Sequence, residues 1–456
     1  MDYGINMTLR SILEDEACTA AFDKCLPGIR ERLNGNRESF GLSVAQVAAY
    51  SGMLPQTALD ELDKALKEIG AQNGGVSPAE LKRIERYKEI WAADQMKKPT
   101  APTYHQDAVY PGQPWLDVNG ERIQAHAGGF LYEDGTYYWY GENKEHTDGV
   151  CEIWTWGIRL YASKDFYNWE DKGLIIQPVL DDPNSELFPE KCIDRPHIFK
   201  NPHTGKYVCW LKNSGPYSCF DVLTAEKLTG PWTMVTERLN PFGMKIGDFD
   251  VLVSEEGTGY LFCEAEHRTV KGFRLNRELT DVEAEISTQY DGINPPFTRE
   301  GITVFPREGK LWMLTSGMTG YVPNQSDSAV SDGFEKPFTS VGDPHVDDDT
   351  LASFNSQIGQ VFRVPGKKDL YLTVADRWVP KYVVDRERAL QLRRAVASRY
   401  DQTVTASKED YEVLSASPNL GTAETRIADY VILPIDFSSG RPLIRWVDSW
   451  RMEDYE

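Results

Sequence analysis

The sequence predicts an all-β five-bladed β-propeller preceded by a small α-helical N-terminal domain. Two observations carry the propeller. Residues 128–142, 196–212, 249–264, 302–316 and 359–376 each read as an apolar strand, a glycine turn and an aromatic strand. The turn glycines, Gly135, Gly205, Gly257, Gly309 and Gly366, lie 52 to 70 residues apart, the spacing of a repeat unit rather than of one sheet. After most of these hairpins comes a weaker pair on a polar turn, as in residues 160–173, 222–235 and 272–286. A lone hairpin cannot bury its apolar face, so two hairpins per repeat make a four-stranded blade that stacks on its neighbours. A β-sandwich also has many short strands, but not five unequal copies of one pattern.

The helical expectation covers residues 1–98, which carry no strand signal. Ser11-Ile-Leu-Glu14 and Ser77-Pro-Ala-Glu80 both fit the N-terminal capping box, the second with proline at the first helical position. Leu59, Leu62, Leu66 and Ile69 share one face of a helix that Gly70 is expected to end. Leu81, Ile84, Ile90 and Trp91 suggest a second apolar face. No His, Cys or carboxylate cluster here has ligand spacing, so the module reads as a packing or homo-oligomerisation surface. Residues 99–112, with Pro99, Pro102 and Pro111, read as a linker, and residues 113–456 as the propeller.

Composition narrows the partners. The chain of 456 residues has 70 acidic against 49 basic side chains and a formal net charge of −21. That balance argues against nucleic acid and anionic membranes, which need clustered Lys and Arg. The seven cysteines (Cys18, Cys25, Cys151, Cys192, Cys209, Cys219 and Cys263) form no CxxC pair and read as small buried hydrophobes in a reduced compartment. With no signal-like segment and no apolar run of membrane-spanning length, the cytoplasm is the expected location.

The most informative regularity lies just before the first strand of each blade. Blade one offers Gln124 and His126, blade two Asp194 and Arg195, blade three Asp248 and Asp250, blade four Glu300, and blade five Asn355, Ser356 and Gln357. Innermost strands of a propeller run the same way past the axis, so these entry positions should converge on one mouth of the channel. Taken singly, each polar group could be a blade-to-blade hydrogen bond. Together they read as a pocket in which neighbouring carboxylates have separated pKa values.

Those residues also carry a family resemblance. RIQAHAGGFLYEDGTYYWYGENK, CIDRPHIFKNPHTGKYVCWLK, GDFDVLVSEEGTGYL, REGITVFPREGKLWMLTSGMTGYVPNQ, SQIGQVF, ADRW and DYVILPIDF together resemble glycoside hydrolase family 43. Within it the chain is most similar to the branch of exo-acting galactan 1,3-β-galactosidases. The resemblance implies a five-bladed propeller and an inverting exo-glycosidase acting on an oligosaccharide, with β-1,3-linked galactose at the non-reducing end as the expected substrate. It matches Glu300 to the general acid and Asp248 to the aspartate that orients the acid and tunes it.

Most of the family has an aspartate base in the first blade, where this chain reads IQAHAGG. The galactan-cleaving branch shares that absence, and Gln357 matches the glutamine thought to position the water. Asp194 stands where the branch has a glutamate, so DRP replaces ERP, and activation of the water is expected to rest on Asp194, on Gln357 in its imidic form or on a group of the substrate. Glu142 matches a substrate-contacting glutamate, and the loop from Thr319 to Asn324, including Tyr321, is expected to shape the sugar subsite with Arg377 and Trp378. Gln124, His126 and Asp250 complete the expected substrate-binding set.

Within the family, α-L-arabinofuranosidase, β-xylosidase and galactofuranosidase activities are the alternatives. From another class comes a carbohydrate-binding propeller without catalysis. No cofactor is expected to be required, and a calcium or sodium ion on the propeller axis would be structural. Metal-dependent hydrolysis ranks last, because no His/Asp/Glu set shows ligand spacing in the sequence.

Overall fold

A computed structural model describes residues 3–33, 40, 43–51, 54–72, 77–97, 101–149, 152–183, 185–214, 218–418 and 423–456. Pro99 and Cys151, named above, lie outside the described residues, as does the expected boundary at 98–99. Five four-stranded antiparallel sheets form the blades. The first comprises β1 (His126–Glu133), β2 (Thr136–Glu142), β3 (Ile158–Ser163) and β4 (Glu170–Ile176). The second comprises β5 (Ile193–Lys200), β6 (Tyr207–Asn213), β7 (Cys219–Ala225) and β8 (Thr233–Leu239). The third comprises β9 (Ile246–Val253), β10 (Gly259–Ala265), β11 (Thr269–Leu275) and β12 (Val282–Gln289). The fourth comprises β13 (Arg299–Arg307), β14 (Lys310–Gly317), β15 (Ser326–Ser331) and β16 (Thr339–Gly342). The fifth comprises β17 (Gln357–Arg363), β18 (Tyr371–Arg377), β19 (Asp429–Asp436) and β20 (Leu443–Ile444). Strands β1, β5, β9, β13 and β17 touch one another around a closed ring.

Each innermost strand is bulged where its polar residue enters. Register slips between His126 and Gly129, between Asp194 and His197, between Ile246 and Phe249, between Glu300 and Thr303, and between Ile358 and Gln360. An extra residue bends the strand and re-aims a side chain. In three blades the residue after the entry position takes a left-handed backbone, Ala127 at φ 46°, Arg195 at φ 50° and Gly301 at φ 57°. Their freed N–H groups find carboxylates on a neighbouring blade: Ala127 donates to Asp376, Arg195 to Glu142 and Gly301 to Asp248, at 2.9, 2.7 and 2.9 Å. Farther along, a backbone N–H again donates to a neighbouring blade. Phe130 gives to Gln360, Ile198 to the Tyr140 hydroxyl, Val304 to Asp250, and Val361 to Thr303. These bonds satisfy the amides that the bulges release, which would otherwise be costly to bury.

Ring closure joins the first blade to the fifth. Phe130, Trp139, Trp169, Leu372, Tyr430 and Trp450 share one apolar cluster across that seam. Val109 and Trp450 exchange both backbone hydrogen bonds, at 2.9 and 3.1 Å, so the expected linker is pinned to the C-terminal end of the propeller. Between β18 and β19 the chain inserts α7 (Arg386–Tyr400) and α8 (Lys408–Ala416), which departs from the expected all-β domain. Asp385 caps the first, and a Ser407–Asp410 capping box starts the second.

The described part of the N-terminal module contains α1 (Leu9–Leu13), α2 (Glu16–Cys25), α3 (Ile29–Leu33), α4 (Val44–Ser51), α5 (Gln56–Gln72) and α6 (Pro78–Met96). Four local expectations are corrected. Thr8, not Ser11, caps α1 by accepting from the Ser11 N–H. Ser77 stands at the N-cap of α6 as expected, but its side chain makes no capping bond. Helix α5 continues past Gly70 to Gln72, and a Cβ on Gly70 would lie 2.4 Å from Tyr3, so close packing explains that glycine. On α6, Leu81 is exposed, and Tyr87 is the fully buried residue of the contact face.

Candidate active site

The bulged strand entries surround a cavity of about 320 Å³, at the small end of ligand pockets. Asp194, Asp248, Glu300 and Gln357 line it from four blades, with Glu142 from the end of β2. Trp154, Tyr321 and Trp378 form its aromatic wall, with Trp154 stacked against Tyr321 at 6.4 Å between ring centres. Asn324 lines an annex beside Glu300 and Gln357.

Charges alternate through this site. Asp248 pairs with Arg195 at 2.8 Å and with Lys212 at 2.6 Å. Asp194 lies 3.8 Å from both Lys212 and Lys144, and Lys144 pairs with Glu142 at 2.7 Å. Burial alone would raise Asp248, but Arg195 and Lys212 override it and hold its carboxyl well below the usual range. Glu300 goes the other way. Burial, reinforced by the Asp248 charge, pushes it up to about 8, so it keeps its proton at neutral pH. Burial also lifts Glu142, to about 7, against the pull of Lys144. One carboxyl that is a neutral acid beside one that stays ionised is the separation that acid catalysis needs.

Gln357 is held on every side. Its Oε1 accepts from Arg195 at 2.5 Å and from the Trp378 indole at 3.3 Å. Its Nε2 donates to Glu300 at 3.1 Å and to Ser316 at 3.0 Å. Asp194 accepts from the Trp154 indole at 2.7 Å and from the Ser214 hydroxyl. Each carboxylate oxygen has a further lone pair for a ligand.

Four expected substrate contacts are placed elsewhere. His126 is fully buried between Asp376 and Gln124, at 2.9 and 3.2 Å, and stacks on Tyr430. Gln124 donates to the Arg426 carbonyl at 3.0 Å. Asp250 ties blades together through Val304 N–H and faces His197 at 3.2 Å. Arg377 donates to the carbonyls of Gly112 and Phe354. None of the four lines the cavity, because each is spent on joining blades or loops.

The second strands contribute a ring of which the sequence reading named only Glu142. Glu142, Lys212, Glu264, Ser316 and Asp376 occupy the ends of β2, β6, β10, β14 and β18. The register sets four of them opposite entry residues: Glu142 opposite His126, Lys212 opposite Asp194, Ser316 opposite Glu300 and Asp376 opposite Gln357. A polar residue closing each aromatic strand was the available signal. Glu264 is buried on the cavity wall, with His267 at 3.3 Å and its Oε1 without a hydrogen-bond partner.

Folding also brings Asp94 to the adjacent pair Glu145 and His146, 52 residues from Asp94 at His146, in a group whose ligand atoms lie within 4.8 Å. Lys97 and the Trp156 indole already bond Asp94, and Arg159 bonds Glu145, so the three sit in an ion-pair network.

A sequence model of glycosyl hydrolases family 43 matches residues 126–394, more than half of the chain. The chain belongs to glycosyl hydrolases family 43. Among solved structures, a family-43 β-1,3-galactosidase is 26% identical over 77% of this chain, with a TM-score of 0.62. The match spans 65% of that protein's own length. An exo-β-1,3-galactanase from Phanerochaete chrysosporium, solved with β-1,3-galactotriose, is 21% identical over 76% of this chain and 68% of its own, with a TM-score of 0.60. A second family-43 β-1,3-galactosidase, solved with galactodeoxynojirimycin, is 22% identical over 75% of this chain and all of its own, also at 0.60. The last two share the fold of this family-43 chain. No curated protein matches it.

Proposed function

We propose that this family-43 chain is an inverting exo-glycosidase that releases terminal β-1,3-linked galactose from galacto-oligosaccharides. The observation that carries the reading is the pair of opposed carboxyls, Glu300 neutral at physiological pH and Asp248 ionised beside it. The small cavity with its aromatic wall suits one terminal sugar better than a chain passing through. The 26%-identical galactosidase supports galactose as that sugar.

In the reaction, Glu300 gives its proton to the glycosidic oxygen as the bond to the anomeric carbon breaks. A water on the opposite ring face adds its oxygen to that carbon and passes its proton to Asp194. Asp248 holds the Gly301 N–H and fixes the backbone that carries the acid. Gln357, anchored by Arg195 and Trp378, directs the water once the sugar has displaced its contact with Glu300.

A panel of nitrophenyl glycosides together with β-1,3-galactobiose tests this. Galactose release from the disaccharide is expected. Preferential cleavage of an arabinofuranoside, xyloside or galactofuranoside would replace the substrate. Binding of sugars with no hydrolysis of any would replace the activity.

A further inference from the structure

The N-terminal helices lie outside the family match, which begins at residue 126, yet they reach the cavity wall through an unbroken path. On α6, Tyr87 is fully buried and packs edge-on against Trp156 and Phe188, at 6.2 and 5.7 Å. Its hydroxyl donates to Glu190 at 2.9 Å, and Arg83 donates to the same oxygen at 3.0 Å. One turn beyond Trp91, Asp94 accepts from the Trp156 indole at 3.0 Å and pairs with His146 at 2.9 Å. Three side chains of one helix thus grip two propeller loops, one ending at Trp156 and one carrying Phe188 and Glu190.

Those two loops are where the wall is built. The backbone N–H of Trp154 donates to the Pro189 carbonyl at 2.8 Å, joining them. Thr155 donates from its hydroxyl to the Ile193 carbonyl at 2.7 Å, next to Asp194. The Trp154 indole reaches Asp194 itself at 2.7 Å while its ring lies against Tyr321. Lys144 clasps the same segment through the Trp154 carbonyl and the Thr155 hydroxyl, at 2.9 and 3.0 Å. Long loops of this kind hold their shape only when something packs on them.

We infer that the helical module is a built-in brace for the sugar-binding wall, with Tyr87, Arg83 and Asp94 acting as positioning residues for Trp154 and Asp194. The inference rests on the proposed function for the identity of the sugar, but not for the mechanical coupling. The brace acts on sugar binding and water placement. It leaves the acid alone, because Glu300, Asp248 and Lys212 are tied to blades two, three and four.

The test uses the full chain with Tyr87→Ala, Tyr87→Phe and Asp94→Ala. Hydrogen exchange read by mass spectrometry should show faster exchange across residues 152–158 and 187–193 in Tyr87→Ala, with β10 to β14 unchanged. Tyr87→Phe keeps the ring packing and should stay near wild type. On β-1,3-galactobiose, Tyr87→Ala should raise KM and lower kcat, each by roughly tenfold, through Trp154 and Asp194 respectively, short of the roughly hundredfold that a misplacement of about 1 Å can cost. The alkaline limb of the pH profile should stay in place, which a general loss of structure would not spare. If Tyr87→Ala does not fold, Asp94→Ala carries the same readouts through Trp156. Wild-type exchange in both loops and an unchanged KM would overturn the brace. A wild-type enzyme inert on galactosides would sink the substrate reading, while the exchange result would still decide the coupling.

Discussion

The side-chain amide of Gln357 stands 3.1 Å from the carboxyl of Glu300. An inverting site keeps its acid and its water-activating group roughly 6.5–9.5 Å apart so that sugar and water fit between them. The Gln357 amide lies within that span, so a sugar ring bound against the acid must part the two. Gln357→Ala removes both the latch and the water contact. Turnover is expected to fall by on the order of a hundredfold, the lower range for losing a positioned group of this kind. Asp194→Asn should fall at least as far. Proton NMR of the first sugar released should show the inverted anomer from the wild type. A retained anomer would rule out single displacement.

Glu300→Gln keeps the shape of the site and deletes the transferable proton. Hydrolysis of β-1,3-galactobiose should drop by on the order of 10²–10⁴, with less effect on aryl glycosides whose leaving groups need little protonation. Comparing kcat for the two substrate types checks this, and equal losses would place the acid elsewhere.

Asp248→Asn should move the pH profile in a defined direction. After burial, the Asp248 charge is the largest influence raising Glu300. Its removal also frees Arg195 and Lys212, which both favour ionised Glu300. The alkaline limb of kcat/KM, expected near 8 in the wild type from the pKa of about 8, should shift to lower pH. A limb that stays put or moves upward contradicts the assigned coupling.

Stability should respond to the same groups. The fold favours the protonated forms of Glu300 and Glu142, whose carboxyls rise from 4.5 to about 8 and about 7. A raised carboxyl contributes stability that is present below its ordinary value and is lost as pH climbs through the folded one. Tm is therefore expected to fall between about pH 5 and about pH 9, and to fall less in Glu300→Gln, whose amide does not titrate. Differential scanning calorimetry across that range reads the difference in slope.

The blades were legible because their signals are local. A turn glycine between an apolar and an aromatic strand encodes one hairpin, and repetition encodes the ring. The insertion of α7 and α8 was missed although the Asp385 cap and the Ser407–Asp410 box are written in the chain. The residue before α6 and the partner of its apolar face show the same divide. Periodicity announces that α6 must pack on something, but not that Tyr87 meets Trp156 and Glu190 of the propeller.

Within the site, the sequence alone placed polar groups at the five strand entries, and four of those entries, Asp194, Asp248, Glu300 and Gln357, do line one cavity. Tertiary structure decided which neighbours share it. Asp248 and Asp250 are two residues apart and by strand alternation should face the same way. Both reach β13, but Asp248, inside the slip in register between Ile246 and Phe249, takes the Gly301 N–H at the cavity, whereas Asp250, beyond the slip, takes the Val304 N–H farther along the same strand. His126 occupies an entry equivalent to Gln357, yet Asp376 and Tyr430 take it out of the cavity. Lys212 and Glu264 arrive from strands running in the opposite direction, and only the sheet register brings them to the same mouth. Local pattern specifies each strand, whereas a bulge and the charge across the neighbouring blade determine where a side chain points and whether it keeps its proton.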